Sequence, residues 1–276
     1  MDKTKLQLYE ELYKKVQEDY HYRSGKTLKD SIYVTECEYC KKQINLWSYW
    51  QGSLDADILL VGQDWGSFKP NERLLDKRML ENIEKMDAGE SADYFEGIDD
   101  TQITATDKHI IKLFAVLGDE YADIRKKHPK LFFTNLCLGY RNEGYTGNLQ
   151  KEWLRNDLKY LTGFNIEESN ETKHISGLVE IVAPKVILCL GKDTYEEVAS
   201  ALNGSKVRIK NFYKSLDEHK NHLDVKFNGQ EMRIYALAHP GGRGTANRKM
   251  YCTVPDKQKS GIELQFADWC EVAKYL

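Results

Sequence analysis

Four short apolar runs constrain the fold more than any other feature of this sequence. Each run is rich in β-branched or large apolar residues and is bounded by turn-forming residues, which is typical of strands buried on both faces of a parallel sheet. Segments with helical periodicity separate the runs, so their order along the chain predicts βαβ units. The runs are residues 57–62 (DILLVG), 131–135 (LFFTN), 185–191 (KVILCLG) and 232–239 (MRIYALAH).

The alternation of strands and helices predicts an α/β fold, a three-layer α/β/α sandwich around a central, mainly parallel four-stranded sheet. Asp107 is predicted to cap a helix that ends near Leu117. Further helices are predicted over residues 149–161, from Asp193 or Thr194 to Leu202, and over residues 262–275. No repeat or linker divides the chain, so we expect one domain over residues 1–276, with a helical N-terminal extension at 1–50 and insertions near 69–104 and 203–230.

Charge and hydropathy narrow the classes of function. The net charge is −3, whereas a general nucleic-acid coat protein is usually basic. Local contact with DNA stays open because basic residues cluster at 206–214 and 243–249, although we expect the first cluster to be an ordinary solvated face. No apolar run reaches the length that spans a bilayer, and the polar N-terminus lacks the pattern of a signal or transit peptide. We therefore expect a cytoplasmic monomer with no membrane partner.

Polar residues directly follow three of the predicted strands. Asp64 stands between Gly62 and Gly66, Asn135 ends the second run, and His239 ends the fourth and opens the stretch HPGGRG. Their ordinary interpretations are a turn with a capping Asp, a turn-forming Asn and a hydrogen-bonded loop His. Because the carboxyl ends of parallel strands meet at one edge of a sheet, the three side chains can also converge on one pocket.

Each of these residues suits a particular chemical task. The carboxamide of Asn135 can match an amide-like edge such as that of uracil, and His239 can donate to a carbonyl oxygen that gains charge during a reaction. The stretch 240–244 (PGGRG) predicts a loop whose backbone N–H groups and Arg approach a phosphate.

Four motifs, in order over roughly residues 37–250, resemble those of the uracil-DNA glycosylase superfamily. Residues 61–65 (VGQDW) resemble its water-activating motif, and 133–135 (FTN) resemble its uracil-reading strand end. Residues 183–191 (APKVILCLG) are similar to its Pro-Lys-Val…Leu-Gly stretch, and 238–243 (AHPGGR) resemble the His-Pro motif before its DNA-intercalating loop. The resemblance implies hydrolysis of the N-glycosidic bond of a flipped uracil or related base, with DNA as the partner.

The resemblance also implies roles for individual residues. Asp64 would activate water and stabilise the cationic sugar, and His239 would hydrogen-bond the departing base anion. The base would be held by the backbone of Gln63, the ring of Phe68 and the edge-reading Asn135. DNA contacts would come from the stretch after His239, with Gly241, Gly242, Arg243 and Arg248.

Two positions depart from the uracil-specific branch of the family. That branch has Pro-Tyr after the Asp, and the Tyr blocks the methyl group of thymine, whereas this chain has Trp65 and Gly66. These two residues are the predicted determinants of specificity, and the absence of Tyr puts thymine exclusion in doubt.

A CxxC pair, Cys37 and Cys40, precedes the first strand as it does in the iron–sulfur branch of the family. A four-iron cluster needs four thiolates, but the positions expected for the third and fourth hold Gly139 and, roughly, Asp157. We therefore expect no metal and no cofactor. Zinc held by the pair and two further ligands is the alternative.

Two other functions compete with the glycosylase prediction. One is a catalytically altered family member that binds nucleic acid or a nucleotide, and the acidic balance of the chain is compatible with it. The other is an unrelated doubly wound nucleotide-binding enzyme. The absence of a GxGxxG or Walker A pattern counts against the latter.

Overall fold

The structure is a computed structural model that describes residues 3–24, 46, 50–64, 95, 97–136, 174–254 and 259–276. The predicted helix at 149–161 and most of the predicted insertion at 69–104 lie outside the described residues. Within the described ranges, no helix is long and apolar enough to cross a membrane.

Five strands form one mixed, mostly parallel sheet in the order β2-β1-β3-β5-β4. Every residue of β1, β2 and β3 is buried, as expected for strands covered on both faces. β1, β2, β3 and β5 run parallel, and β4 pairs antiparallel with β5 at the edge. The strands are β1 Ile58–Gly62, β2 Leu131–Asn135, β3 Val186–Leu190, β4 His222–Phe227 and β5 Gln230–Leu237.

The mostly parallel sheet is confirmed, but the prediction of four strands is wrong, because β4 lies inside the segment interpreted as an insertion. Residues Asn228 and Gly229 both have positive φ (49° and 85°) and form a two-residue hairpin loop, in which Phe227 faces Gln230. Only Val225 of β4 is buried, so the strand lacks the apolar run by which the others were recognised. The Asn-Gly pair was the available sequence signal for this hairpin.

Seven α-helices accompany the sheet in the described residues, and three of them, which begin at Ala105, Lys192 and Gly261, start within three residues of their predicted positions. Thr104 caps α2, and its Oγ1 accepts from Asp107 N at 3.1 Å, so the prediction of Asp107 as the cap is wrong by one turn. The helices are α1 Lys5–Ser24, α2 Ala105–Ala115, α3 His174–Val182, α4 Lys192–Asn203, α5 Phe212–Asp217, α6 Gly242–Met250 and α7 Gly261–Ala273.

Most of the helices pack together in two groups. α3 contacts both α1 and α4, and α7 contacts both α2 and α6. The core beneath the second group is aromatic: the Phe114 ring lies 5.2 Å from that of Phe133 and 5.1 Å from that of Trp269, centroid to centroid. These contacts fix α2 and α7 over β2, and they place the amino terminus of α2 beside the loop that follows β5.

Candidate active site

Three of the predicted site residues lie at the carboxyl edge of the sheet. In the register of β1 with β2, Gly62 is opposite Asn135, and Asp64 follows two residues later. His239 follows β5, which β3 separates from β1. Adjacent strands lie about 4.8 Å apart, so the ends of β1 and β5 are separated by about 10 Å, the width of a small-molecule pocket.

The carboxamide of Asn135 is buried, and it forms no hydrogen bond within the described part of the chain. The residue is 0% exposed, and neither Oδ1 nor Nδ2 has a partner among the described residues. A neutral polar group left in this state costs about 1–3 kcal/mol, so such a group is rarely retained without a reason. A ligand that offers one donor and one acceptor at this edge would satisfy both atoms.

Gly62 makes room for that carboxamide. A Cβ on Gly62 would lie 2.3 Å from Asn135 Oδ1, far inside contact distance. The backbones at the ends of β1 and β2 are also hydrogen-bonded, because Leu136 N donates to Gly62 O at 2.9 Å. The glycine is therefore required by the close approach of the neighbouring strand's side chain.

His174, which sequence reasoning missed, contacts the backbone of Asn135. It begins α3, is fully buried, and its Nε2 lies 3.4 Å from the carbonyl oxygen of Asn135. Because a carbonyl only accepts, Nε2 carries the proton in this contact. No motif around His174 distinguishes it in the sequence.

Asp64, two residues after the end of β1, has a largely buried carboxylate. The side chain of Gln63 donates to it, with Nε2 3.3 Å from Asp64 Oδ2, and the residue is 8% exposed. Gln63 therefore orients Asp64 through its own side chain, in addition to the backbone role that the resemblance implies.

His239 is exposed, and its tautomer is set by the backbone that follows it. Gly241 N donates to His239 Nδ1 at 2.9 Å, so Nδ1 accepts and the proton of the neutral ring lies on Nε2. Gln265 holds the backbone from α7, donating to the carbonyls of Ala238 (3.1 Å) and His239 (2.9 Å). Gln265 was not predicted, because one polar residue in an amphipathic helix carries no signal of its own.

The stretch after His239 begins α6, whereas the sequence predicted a loop. Gly241 is the N-cap and no side chain caps the helix, while Gly242 and Arg243 are exposed in the first turn. Gly244 is required because a Cβ there would lie 2.1 Å from His239 O. The glycines therefore let the helix start directly against the histidine.

Arg248, a predicted DNA contact, faces the interior. It is 2% exposed, and its guanidinium pairs with Asp268 at 2.8 Å and 2.9 Å and with Asp217 at 2.8 Å. Burial raises the pKa of the Asp268 carboxyl, and hydrogen bonds from Arg248 oppose that rise. Arg248 therefore joins α6 to α5 and α7, and we no longer assign it to DNA.

Several predicted residues lie outside the described part of the chain. They are Trp65, Gly66, Phe68, Cys37 and Cys40. In the first basic cluster, Arg208 pairs with Glu196 and Glu197, in keeping with an ordinary surface role. The described residues contain no group of three or more His, Cys, Asp or Glu side chains arranged to hold a metal ion.

Comparison of the sequence with models of known protein families finds no matching family, and comparison with curated proteins finds no match either. The resemblance to uracil-DNA glycosylases therefore depends on the short motifs and stays a prediction.

The contact between Gly62 and Asn135 predicts energetic coupling. Gly62→Ala should destabilise the protein by about 1–3 kcal/mol, because the buried carboxamide has little room to move. Gly62→Ala in an Asn135→Ala background should cost much less. Gly242→Ala is the matched control, since a Cβ there meets nothing within 4 Å. Urea denaturation of the four variants and the wild type measures the coupling, and equal costs for Gly62→Ala in both backgrounds would contradict the contact.

The buried ion pairs of Arg248 predict a second stability effect. Arg248→Ala leaves the carboxylates of Asp217 and Asp268 facing each other and should lower the free energy of unfolding by about 3–5 kcal/mol. Lys249→Ala, next along the same helix but exposed, should change it by less than about 0.5 kcal/mol. Denaturant unfolding measures both, and similar values for the two variants would contradict a structural role for Arg248.

Proposed function

We propose that this protein is a DNA glycosylase of the uracil-DNA glycosylase type, which hydrolyses the N-glycosidic bond of a flipped uracil or related damaged base. The observation that carries the proposal is the unsatisfied, fully buried carboxamide of Asn135, at the same sheet edge as Asp64 and His239. The two groups of helices support the three-layer α/β/α arrangement that such a fold requires.

The hydrogen-bonding groups of Asn135 complement the edge of uracil. Its Oδ1 can accept from N3–H of the base, and its Nδ2 can donate to O4. Cytosine presents an acceptor at N3 and a donor at N4, so it matches only if the carboxamide is turned over. Because Oδ1 lies against Gly62, the two ends of the carboxamide have different surroundings, which favours one orientation.

Asp64 and His239 suit the two ends of the breaking bond. When the bond between the base and C1′ breaks, positive charge grows on the sugar and negative charge on the base. The carboxylate of Asp64 stabilises the sugar cation and directs a water whose oxygen bonds to C1′. The proton on Nε2 of His239 hydrogen-bonds the base oxygen, and the departing base ends with the proton that water supplies.

The amino terminus of α6 suits the DNA backbone. Its first turn, from Gly242, has no side-chain cap among the described residues, and the side chain of Arg243 is exposed there. N–H groups at a helix amino terminus bind anions such as phosphate. With a net charge of −3, the protein would engage DNA through this local site and not through a general positive field.

A binding protein without catalysis is the rival function, since a buried carboxamide can read a base that is never released. The two functions differ in the product of incubation with oligonucleotides that carry uracil, hypoxanthine, xanthine or a thymine mismatch. Release of a base leaves an abasic site that alkali cleaves. Binding without cleavage of any substrate would favour the rival.

The proposal predicts a separation of catalysis from binding. Asp64→Asn should slow single-turnover base release strongly and leave binding to abasic DNA nearly unchanged, because the carboxylate acts on the sugar and water while binding depends on phosphate contacts. His239→Ala should slow release by roughly 100-fold, as for loss of one oxyanion donor. The exposed Asp119→Asn is the matched control and should behave as wild type. Equal release by wild type and Asp64→Asn would contradict the assigned role.

A further inference from the structure

A groove of about 940 Å³ lies between α2, the loop before α6, the length of α6 and the start of α7. Its walls are mainly apolar and include Ala105, Pro240, Ala246, Ile262 and Phe266. The groove adjoins the proposed site, because Pro240 and Gly242, which follow His239 closely in the chain, line it together with residues of α2.

Large apolar side chains are exposed at the rim. Met250 is 69% exposed and Ile262 is 46% exposed, and both line the groove. Neighbouring Tyr251 is 53% exposed. Contiguous exposed apolar surface of this kind marks interaction sites on soluble proteins, and Met is over-represented where the partner packs against an adaptable surface.

The charged residues among the described lining of the groove are all lysines. Lys108 and Lys112 are one turn apart on α2, and Lys249 lies across from them on α6. None of the three lies within 4 Å of a carboxylate of another described residue, although Lys108 and Lys249 are near enough to Asp99 and Glu263 to help lower the pKa of those carboxyls. No Asp or Glu is among the described residues that line the groove. The groove therefore complements a ligand that is apolar at its centre and acidic at its margins.

The dimensions of the groove match a helix. Ala105 and Lys112 both line it and are seven residues apart, which corresponds to roughly 10 Å along α2. A bound helix covers that length with apolar residues at positions i, i+4 and i+7. Single-stranded nucleic acid fits less well, because its bases stack on exposed aromatic faces. Among the described lining residues, the aromatic rings are those of His109 and Phe266, and Phe266 is half-buried and packs edge-on against His109.

The wall of the groove also contains an unsatisfied acceptor. His109 Nδ1 donates to Pro240 O at 2.9 Å, so Nε2 of the neutral ring is an acceptor. That atom is buried and has no hydrogen-bond partner in the described part of the chain. A partner residue with both an apolar body and a donor, Trp or Tyr, suits this position better than Leu.

We propose that this groove binds an acidic amphipathic helix of a partner protein, with an aromatic anchor over Phe266 and His109 and carboxylates on Lys108, Lys112 and Lys249. The proposal does not depend on base release, since Asp64, Asn135 and His239 do not line the groove. Gly242 alone belongs both to the groove and to the proposed DNA contact. It gives the protein a second surface, adjoining the first, through which a partner can be held beside the DNA site.

Selection from a displayed library of random peptides of about 16 residues, roughly four helical turns, tests the proposal on the full chain. The expected consensus has apolar residues, one of them Trp or Tyr, at i, i+4 and i+7 and is enriched in Asp and Glu. Fluorescence anisotropy then gives the affinity of the strongest peptide. Lys108→Glu combined with Lys112→Glu should weaken binding by about tenfold or more. Ala246→Trp, which fills the groove, should do the same without changing the charge.

The matched control is Lys126→Glu combined with Lys127→Glu, which changes the net charge equally at an exposed loop and should leave affinity unchanged. Unchanged thermal unfolding of the variants excludes a folding defect. The proposal is overturned if no peptide is enriched, if the enriched peptides lack acidic residues, or if groove and control variants bind equally well. It is also overturned if single-stranded DNA displaces the peptide and is itself weakened by the same groove variants, because the groove then belongs to nucleic acid.

Discussion

The parallel pairing of β1 with β2 and β3 is the constraint on which the rest of the structure depends. It places Gly62 opposite Asn135, and through β3 it brings β5 and His239 to the same sheet edge. A slip of one residue would turn Asn135 to the other face of the sheet and remove it from Asp64. The apolar runs that bury both faces of these strands specify the register, so the core determines the geometry of the site.

Besides the strand register, three glycines shape the site and its surroundings, because neighbouring segments approach their backbones closely. Gly62 and Gly244 lie where a Cβ would collide with Asn135 Oδ1 and His239 O. Gly261 does the same between α7 and α6, where a Cβ would lie 2.0 Å from Thr245 O. That contact lets Gln265 reach the carbonyl of His239, so helix packing and the orientation of the candidate catalytic histidine are physically linked.

Positive charge is distributed according to burial and not according to its position in the sequence. Arg248 and Lys249 are neighbours, yet one is enclosed by two carboxylates and the other lines an open groove. Arg243, five residues before Arg248, is exposed at the amino terminus of α6. The basic residues of 243–249 therefore differ in role. Arg248 forms buried ion pairs, Arg243 is a candidate DNA contact, and Lys249 is a candidate protein contact.

The sequence by itself determined the parallel strands and the identities of Asp64, Asn135 and His239 as strand-end residues, because fully buried strands and their turn signals are local patterns. It did not reveal β4, whose single buried residue leaves no apolar run, although Asn228-Gly229 marked the turn. His174, Gln265 and the interior position of Arg248 were decided only by the tertiary structure. Each depends on a partner more than fifteen residues away, and the sequence pattern around a polar residue does not specify such a partner.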